Sequence, residues 1–294
     1  MKRFEKHPAN PVYGDEQTGT MFDVYVWQDG GKYRMDVSWR PEKAVAAAFS
    51  SDGLHWTAPK ITLPADPDST WETKINRNCV LHTPDGKYRM WYTGQDGKSS
   101  AIAYAESDDG LEFHRVAENP VITCEYPWEG MSVMNPCVLP ENGVYRMWYA
   151  AGETYEPNVI AYAESKDGVH WVKHPEPIYV CDPKNEYEQN RVGGCQVLKH
   201  ETLGYLMFYI GYKDIHTACI CAACSPDGIG GWKRCRLNPL IVPTEDGWDG
   251  DACYKPTAIF DGEGWRIWYN GRRARFERIG TAYRHGDFTP DDFA

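Results

Sequence analysis

The residues with the clearest chemical potential are carboxylates standing where the surrounding pattern does not ask for them. Asp23 interrupts the apolar run TMFDVYVW. Burying a charge is expensive, so a carboxylate there needs donors or a task. Glu188 in NEYEQNRVGG, Asp251 in WDGDACYKP and Glu129 in YPWEGMS each lie shortly before another such run. Positioned carboxyl groups supply general acid and general base. A second reading covers part of this set. Glu72, Glu129 and Asp249 each follow a Trp, and a Trp-acid pair that returns three times also fits a packing and capping device. Cations gather at matching places: Lys74, Arg77, Arg191 and Lys255 beside or within the same runs, and Arg40, Lys213, Arg272 and Arg273 some way after them. In an acidic chain they either neutralise the carboxylates or pair with an anionic ligand group. Other chemistry is not signalled. Cys219, Cys221 and Cys224 are close in sequence but sit in one small-residue run, whereas a thiolate metal site needs converging ligands. No Gly-rich phosphate loop opens a helix, and the His show no metal spacing. No metal and no cofactor are expected.

These residues are placed by a repeat. NPCVLPENGVYRMW, from Asn135, reads as a β-hairpin: a short apolar strand, a turn rich in Pro, Asn and Gly, and a strand ending in aromatics. DVYVWQDGGKYRM, NCVLHTPDGKYRMW, CQVLKHETLGYLMF and KPTAIFDGEGWRIW repeat it. Anchored on Tyr33, Tyr88, Tyr145, Tyr205 and Trp265 and counted back ten residues without gaps, the copies begin at Asp23, Asn78, Asn135, Cys195 and Lys255. Asp23 is the only carboxylate in that register. A small-residue strand follows each hairpin (AVAAAFS, AIAYAES, VIAYAES, ACICAACS, IGTAYRH), and in four copies an Asp-Gly turn then leads to an aromatic. Each unit thus reads as four antiparallel strands. Five such units fill the chain, which predicts an all-β five-bladed β-propeller forming one domain over residues 1–294. The fifth unit lacks a fourth strand. MKRFEKHPANP resembles WKRCRLNP and FHRVAENP, so residues 1–8 are expected to supply that strand and remove an exposed edge. In such a ring the first strand of each blade lines the channel, and its N-terminal end meets a funnel where ligands bind. Residues common to all blades are structural; those unique to one blade at the funnel are the candidates.

Composition narrows the partners. The formal charge is −11 over 294 residues, which argues against nucleic acid or an anionic membrane surface. The N-terminal stretch has no apolar core, so a signal peptide is not expected, and no window approaches the roughly 20 apolar residues of a membrane span. Ten cysteines scattered singly fit buried thiols in a reducing compartment, and a cytoplasmic location is expected.

Taken together, the Asn-Pro-apolar starts (NPVI, NPLI), the Tyr-Arg-Met-Trp-Tyr second strands and the Ser-x-Asp-Gly-x-x-Trp turns resemble the five-bladed glycosidases of glycoside hydrolase families 32, 43, 68, 117 and 130. The resemblance covers nearly the whole chain. It implies a base or nucleophile at Asp23, on the first strand of the first blade. Where those families carry a second Asp this chain has Asn78 and Asn135, and where they carry the acidic Glu it has Met134, Gly193 or Tyr254. The acid is therefore sought at Glu188, Glu129 or Asp251, with Glu188 preferred. The resemblance implies hydrolysis of a short oligosaccharide in a funnel-shaped pocket. Arg40, Arg77, Asn78, Asn135, Arg191 and Lys255 would hold hydroxyls or an anionic substituent, and Trp128 and Tyr254 would stack on sugar faces. A non-catalytic carbohydrate-binding propeller and a glycoside phosphorylase stay open beside it.

Overall fold

The computed structural model describes residues 3–116, 119–154 and 156–293; Met1 and Lys2 of the expected closing strand lie outside the described residues. β1 (Glu5–Lys6) is followed by an antiparallel run of β2 (Met21–Asp29), β3 (Lys32–Trp39), β4 (Ala44–Ser50) and β5 (Lys60–Pro64). The run repeats in β6 (Lys74–His82), β7 (Tyr88–Gln95), β8 (Ser100–Ser107) and β9 (His114–Arg115). It repeats again in β10 (Ser132–Glu141), β11 (Val144–Gly152), β12 (Val159–Ser165) and β13 (Trp171–Lys173), with β14 (Tyr179–Val180) also on β12. β15 (Arg191–His200), β16 (Gly204–Tyr212), β17 (Ala218–Ser225) and β18 (Lys233–Arg234) follow. The last run is β19 (Ala252–Phe260), β20 (Gly264–Arg273) and β21 (Phe276–His285). Its fourth place is taken by β1, with Glu5 opposite Tyr283 and Lys6 opposite Ala282. Among the described residues the helices are two 3-10 turns, Pro127–Glu129 and Pro290–Asp292. None is long and apolar enough to cross a membrane.

Local chemistry explains these runs. In the β10–β11 hairpin Asn142 and Gly143 both take positive φ, as a tight primed turn requires. Ser107 and Asp109 illustrate the Asp-Gly turns: the Asp109 carboxylate accepts the amides of Leu111 and Glu112, and Ser107 Oγ accepts that of Gly110. The Asn of each Asn-Pro start brackets a third strand with its amide group. Asn119 does so at Tyr104, Asn238 at Ala222, and Asn10 at Thr281 of the last run. The N-terminal segment therefore stands to β21 as its counterparts stand to β8 and β17.

The apolar core lies between successive runs. Ile75, Val80, Met90 and Tyr92 pack with Val45 and Leu63. Val133, Val138 and Met147 pack with Trp91 and Ile102. A further cluster joins Val24, Val26 and Met35 of the first run to Trp268 and Ile279 of the last. Trp91, Trp148 and Trp268 each donate the indole N–H to a carbonyl in an Asp-Gly turn of another run: Gly168, Gly228 and Gly53. At Gly53 a Cβ would meet the Trp268 ring at 2.7 Å, and φ is +75°, so the turn admits glycine alone.

Candidate active site

The inner strand of every run slips register against its neighbour at one point. The slips fall between Phe22 and Tyr25, Asn76 and Cys79, Met134 and Cys137, Gly193 and Cys195, and Tyr254 and Thr257. A bulge adds a residue and re-aims a side chain. Asp23, Arg77, Asn135 and Lys255 occupy these bulges with φ of 54°, 55°, 57° and 50°. Non-glycine residues adopt this region rarely, and such strain clusters at functional sites. The sequence register is corrected in two runs: Arg77 and Gly194, not Asn78 and Cys195, stand at the bulge position equivalent to Asp23. The cause is the connection between β6 and β7 and that between β15 and β16. His82 pairs Tyr88 and Lys199 pairs Tyr205, one residue further apart than Gln28 and Tyr33. Counting back without gaps slips by that residue. Asn78 is fully buried, and neither end of its amide has a hydrogen-bond partner.

The bulges surround a cavity of about 290 Å³. Asp23, Arg40, Arg77, Asn135, Arg191 and Tyr254, all expected at the site, are among its walls. Lys255 is buried within the β19 bulge, and its charge acts on Asp23. Asp23 is 2% exposed, and its Oδ2 has no hydrogen-bond partner; Arg77 Nε lies 3.7 Å away. Burial pushes the Asp23 carboxyl above the usual range, against the opposing charges of Arg77, Lys255 and Arg40.

Glu277, which the sequence reasoning missed, also lines the cavity. It is buried on β21 opposite Arg272, where Ser100 and Ala218 stand in the corresponding third-strand pairings of the second and fourth runs. Glu277 lies two residues before IGTAYRH, outside the third strand as the sequence bounds it, and only the longer β21 brings it to the cavity. Arg40 Nη2 donates to its Oε1 at 3.0 Å, and the Tyr254 hydroxyl donates to its Oε2 at 2.5 Å. Burial raises the Glu277 carboxyl and the charge of Asp23 adds to the rise, while Tyr254 and Arg40 oppose it. Two carboxyl groups that each resist ionisation thus share one cavity. Glu156 and Arg272, at its walls, complete the charged set, and Tyr212 adds an aromatic wall.

Glu188 and Glu129 are placed elsewhere. They belong to a clamp built four times. Glu72, Glu129, Glu188 and Asp249 are buried, and each accepts a hydroxyl from the second strand of its run: Tyr92, Tyr149, Tyr209 and Tyr269. Each also pairs with a cation on the fourth strand: Arg115 at 2.5 Å, Lys173 at 2.8 Å, Arg234 at 2.5 Å and Lys6 at 2.5 Å. Burial works to raise the Glu129 and Asp249 carboxyls, but Lys173 and Lys6 with neighbouring donors hold both below the usual range. None of the four lines the cavity, and each joins the second strand of its run to the fourth. Asp251 accepts the Ala274 amide at 2.6 Å and lies outside the cavity walls. Trp128 donates to the Pro175 carbonyl at 2.9 Å and stacks on Tyr126, also away from the cavity. The cysteines of β17 are free thiols.

The arrangement now meets its relatives. The model of the glycosyl hydrolases family 32 N-terminal domain matches residues 24–182, just over half of the chain. The chain belongs to that family. This family 32 domain is 28% identical over 272 residues to an uncharacterised protein of Mycobacterium tuberculosis (strain ATCC 25618 / H37Rv), covering 89% of this chain and 86% of that one. It is 23% identical over 202 residues to a 1,2-beta-oligomannan phosphorylase of Thermoanaerobacter sp. (strain X514), covering 65% and 62% of the two chains. A thermostable family-43 glycoside hydrolase superposes with a TM-score of 0.74 at 19% identity, covering 97% and 94%. The fold is that of the propeller glycosidases.

Proposed function

We propose that this family 32 domain cleaves a glycosidic bond in the cavity walled by the bulges. Asp23 acts as general base or nucleophile and Glu277 as general acid. The observation that carries the reading is the pair of buried carboxyl groups, on the first and last runs, facing one cavity whose other charged walls are mainly cationic. Before reaction, burial favours the protonated Glu277. As the leaving oxygen takes that proton, Arg40 and Tyr254 hold the carboxylate left behind. Asp23, with an unpartnered oxygen, either activates water or attacks the anomeric carbon; the separation of the two groups around a bound sugar selects between these. Arg77, Asn135 and Arg191 are placed to hold hydroxyls.

The wider reading is a single domain over residues 1–294, a ring of five four-stranded blades closed by the N-terminal strand. It is supported by the β1–β21 pairing, by the Trp268–Gly53 contact and by the core cluster shared between first and last runs. Ten free cysteines support a reducing, cytoplasmic setting. The cation excess around the cavity supports a carbohydrate with an anionic group. The same excess, with the phosphorylase among the relatives, also supports phosphorolysis, in which bound phosphate takes the place of water.

The test is turnover of a panel of aryl glycosides and oligosaccharides by wild type and Asp23→Asn, with and without phosphate. Loss of general-base or nucleophilic assistance should cost about 10²–10⁴ in rate. A fully active Asp23→Asn variant overturns the assignment; a strict requirement for phosphate selects phosphorolysis.

A further inference from the structure

A second cavity, also of about 290 Å³, adjoins the first and shares Phe22, Arg40, Arg77 and Glu156 with it. Its remaining walls come from the first two runs: Trp39 and Lys43 on one side, and Lys74, Asn76 and Gln95 on the other. The Arg40–Lys43 turn, closed by the Lys43 amide on the Arg40 carbonyl, keeps both cations on one rim. Trp39 is pinned by its indole N–H on the Thr18 carbonyl.

The hydrogen bonds leading into this cavity have a fixed direction. Arg77 Nη1 donates to Asn76 Oδ1 at 2.8 Å, and Asn76 Nδ2 donates to Gln95 Oε1 at 2.8 Å. A guanidinium only donates, so the Asn76 oxygen must face it, and the amide of Gln95 is oriented in turn. The Gln95 Nε2 donor is what remains. Gln95 is 3% exposed, and its Nε2 has no hydrogen-bond partner. A buried donor left unmade is costly, so a ligand acceptor there gains affinity. The charges point the same way. Arg40 pairs with Glu277 and Arg77 faces Asp23, whereas Lys43 and Lys74 form no ion pair among the described residues. Two ammonium groups without an ion pair beside an oriented amide donor outnumber the one Glu156 carboxylate on the same walls and match an acceptor-only dianion, and a phosphate monoester carries about −1.5 to −2 charges at neutral pH.

We propose that this second cavity is a subsite for a phosphate ester carried by the sugar on one side of the scissile bond, making the substrate a phosphorylated glycoside. This rests on the glycosidase reading above, but its test does not use turnover. Binding is measured by calorimetry and thermal shift with glucose 6-phosphate, mannose 6-phosphate, the parent sugars and inorganic phosphate. The proteins are wild type, Gln95→Leu and the double variant Lys43→Ala/Lys74→Ala, with ligand-free melting as the folding control. At least one sugar phosphate should bind about tenfold or more tighter than its parent sugar, as charge-assisted hydrogen bonds of this kind provide. That preference should shrink in both variants and with added salt. Three results overturn the proposal: no phosphorylated probe binds at millimolar concentration, the preference persists in the double variant, or inorganic phosphate binds as tightly as every ester. The last assigns the cavity to free phosphate. A failure of the glycoside panel with phosphate-ester binding intact would instead remove the catalytic reading and leave the subsite.

Discussion

Glu188 and Glu277 separate two accounts of the acid, and their amide variants should fail in opposite ways. Glu188→Gln removes the charge from a fully buried carboxylate that accepts from Tyr209, Arg234, the Asp182 amide and Asn185. Removing one partner of a buried ion pair costs about 3–5 kcal/mol. The amide retains one acceptor and the Arg234 side chain is 27% exposed, so about 2–3 kcal/mol is expected here. For a chain of this size that lowers the melting temperature by about 3–5 °C. Turnover by the folded fraction should be nearly unchanged. Glu277→Gln should do the reverse. It keeps the shape, and Tyr254 still finds an acceptor, while the group resisting ionisation is gone, so melting should hold. Its kcat on poor leaving groups should drop about 10²–10⁴. The loss should shrink for dinitrophenyl glycosides, whose leaving group needs no proton. The assays are differential scanning fluorimetry and initial rates on paired good and poor leaving groups. An inactive Glu188→Gln that melts like wild type, with a fully active Glu277→Gln, would refute the reasoning.

Lys6→Met should expose the cost of opening the last run. It leaves the buried Asp249 carboxylate without its cation and removes donors to Thr244 Oγ1 and the Val242 carbonyl. Chemical denaturation should show a loss of about 3–5 kcal/mol, partly restored by adding Asp249→Asn; no loss would argue against closure by β1. Stability against pH should carry two opposite signatures. Glu129 and Asp249 are held below the usual range, so the stability they contribute is present above an ordinary carboxylate pKa of about 4 and is lost as pH falls through their folded values. Asp23 and Glu277 are raised, so the folded state binds the extra proton and stability declines as pH rises from about 4 through their folded values. Asp23→Asn should therefore match or exceed wild-type stability at neutral pH and lose that advantage in acid; a variant destabilised equally at all pH values would contradict this.

The sequence by itself determined the strands, the hairpins and the small-residue third strands, because alternation and turn chemistry act between neighbours in the chain. It also singled out Asp23, since a charge present in one copy of a repeat is visible without coordinates. Arg40, Arg77, Asn135, Arg191 and Tyr254 were legible for a similar reason, as polar groups near the starts and ends of recurring strands. The tertiary structure decided the rest. One extra residue in the connection after β6 put Arg77, rather than Asn78, at the bulge position equivalent to Asp23. Glu188 stands in the sequence like a reactive carboxylate, but in the fold Arg234, on the fourth strand of its run, pairs with it. Glu277 stands just before the third strand as the sequence bounds it, and its partner Arg40 lies at the other end of the chain. Whether a carboxylate is a clamp or an acid depends on the charges and solvent within a few ångströms of it, and only the folded chain brings those together.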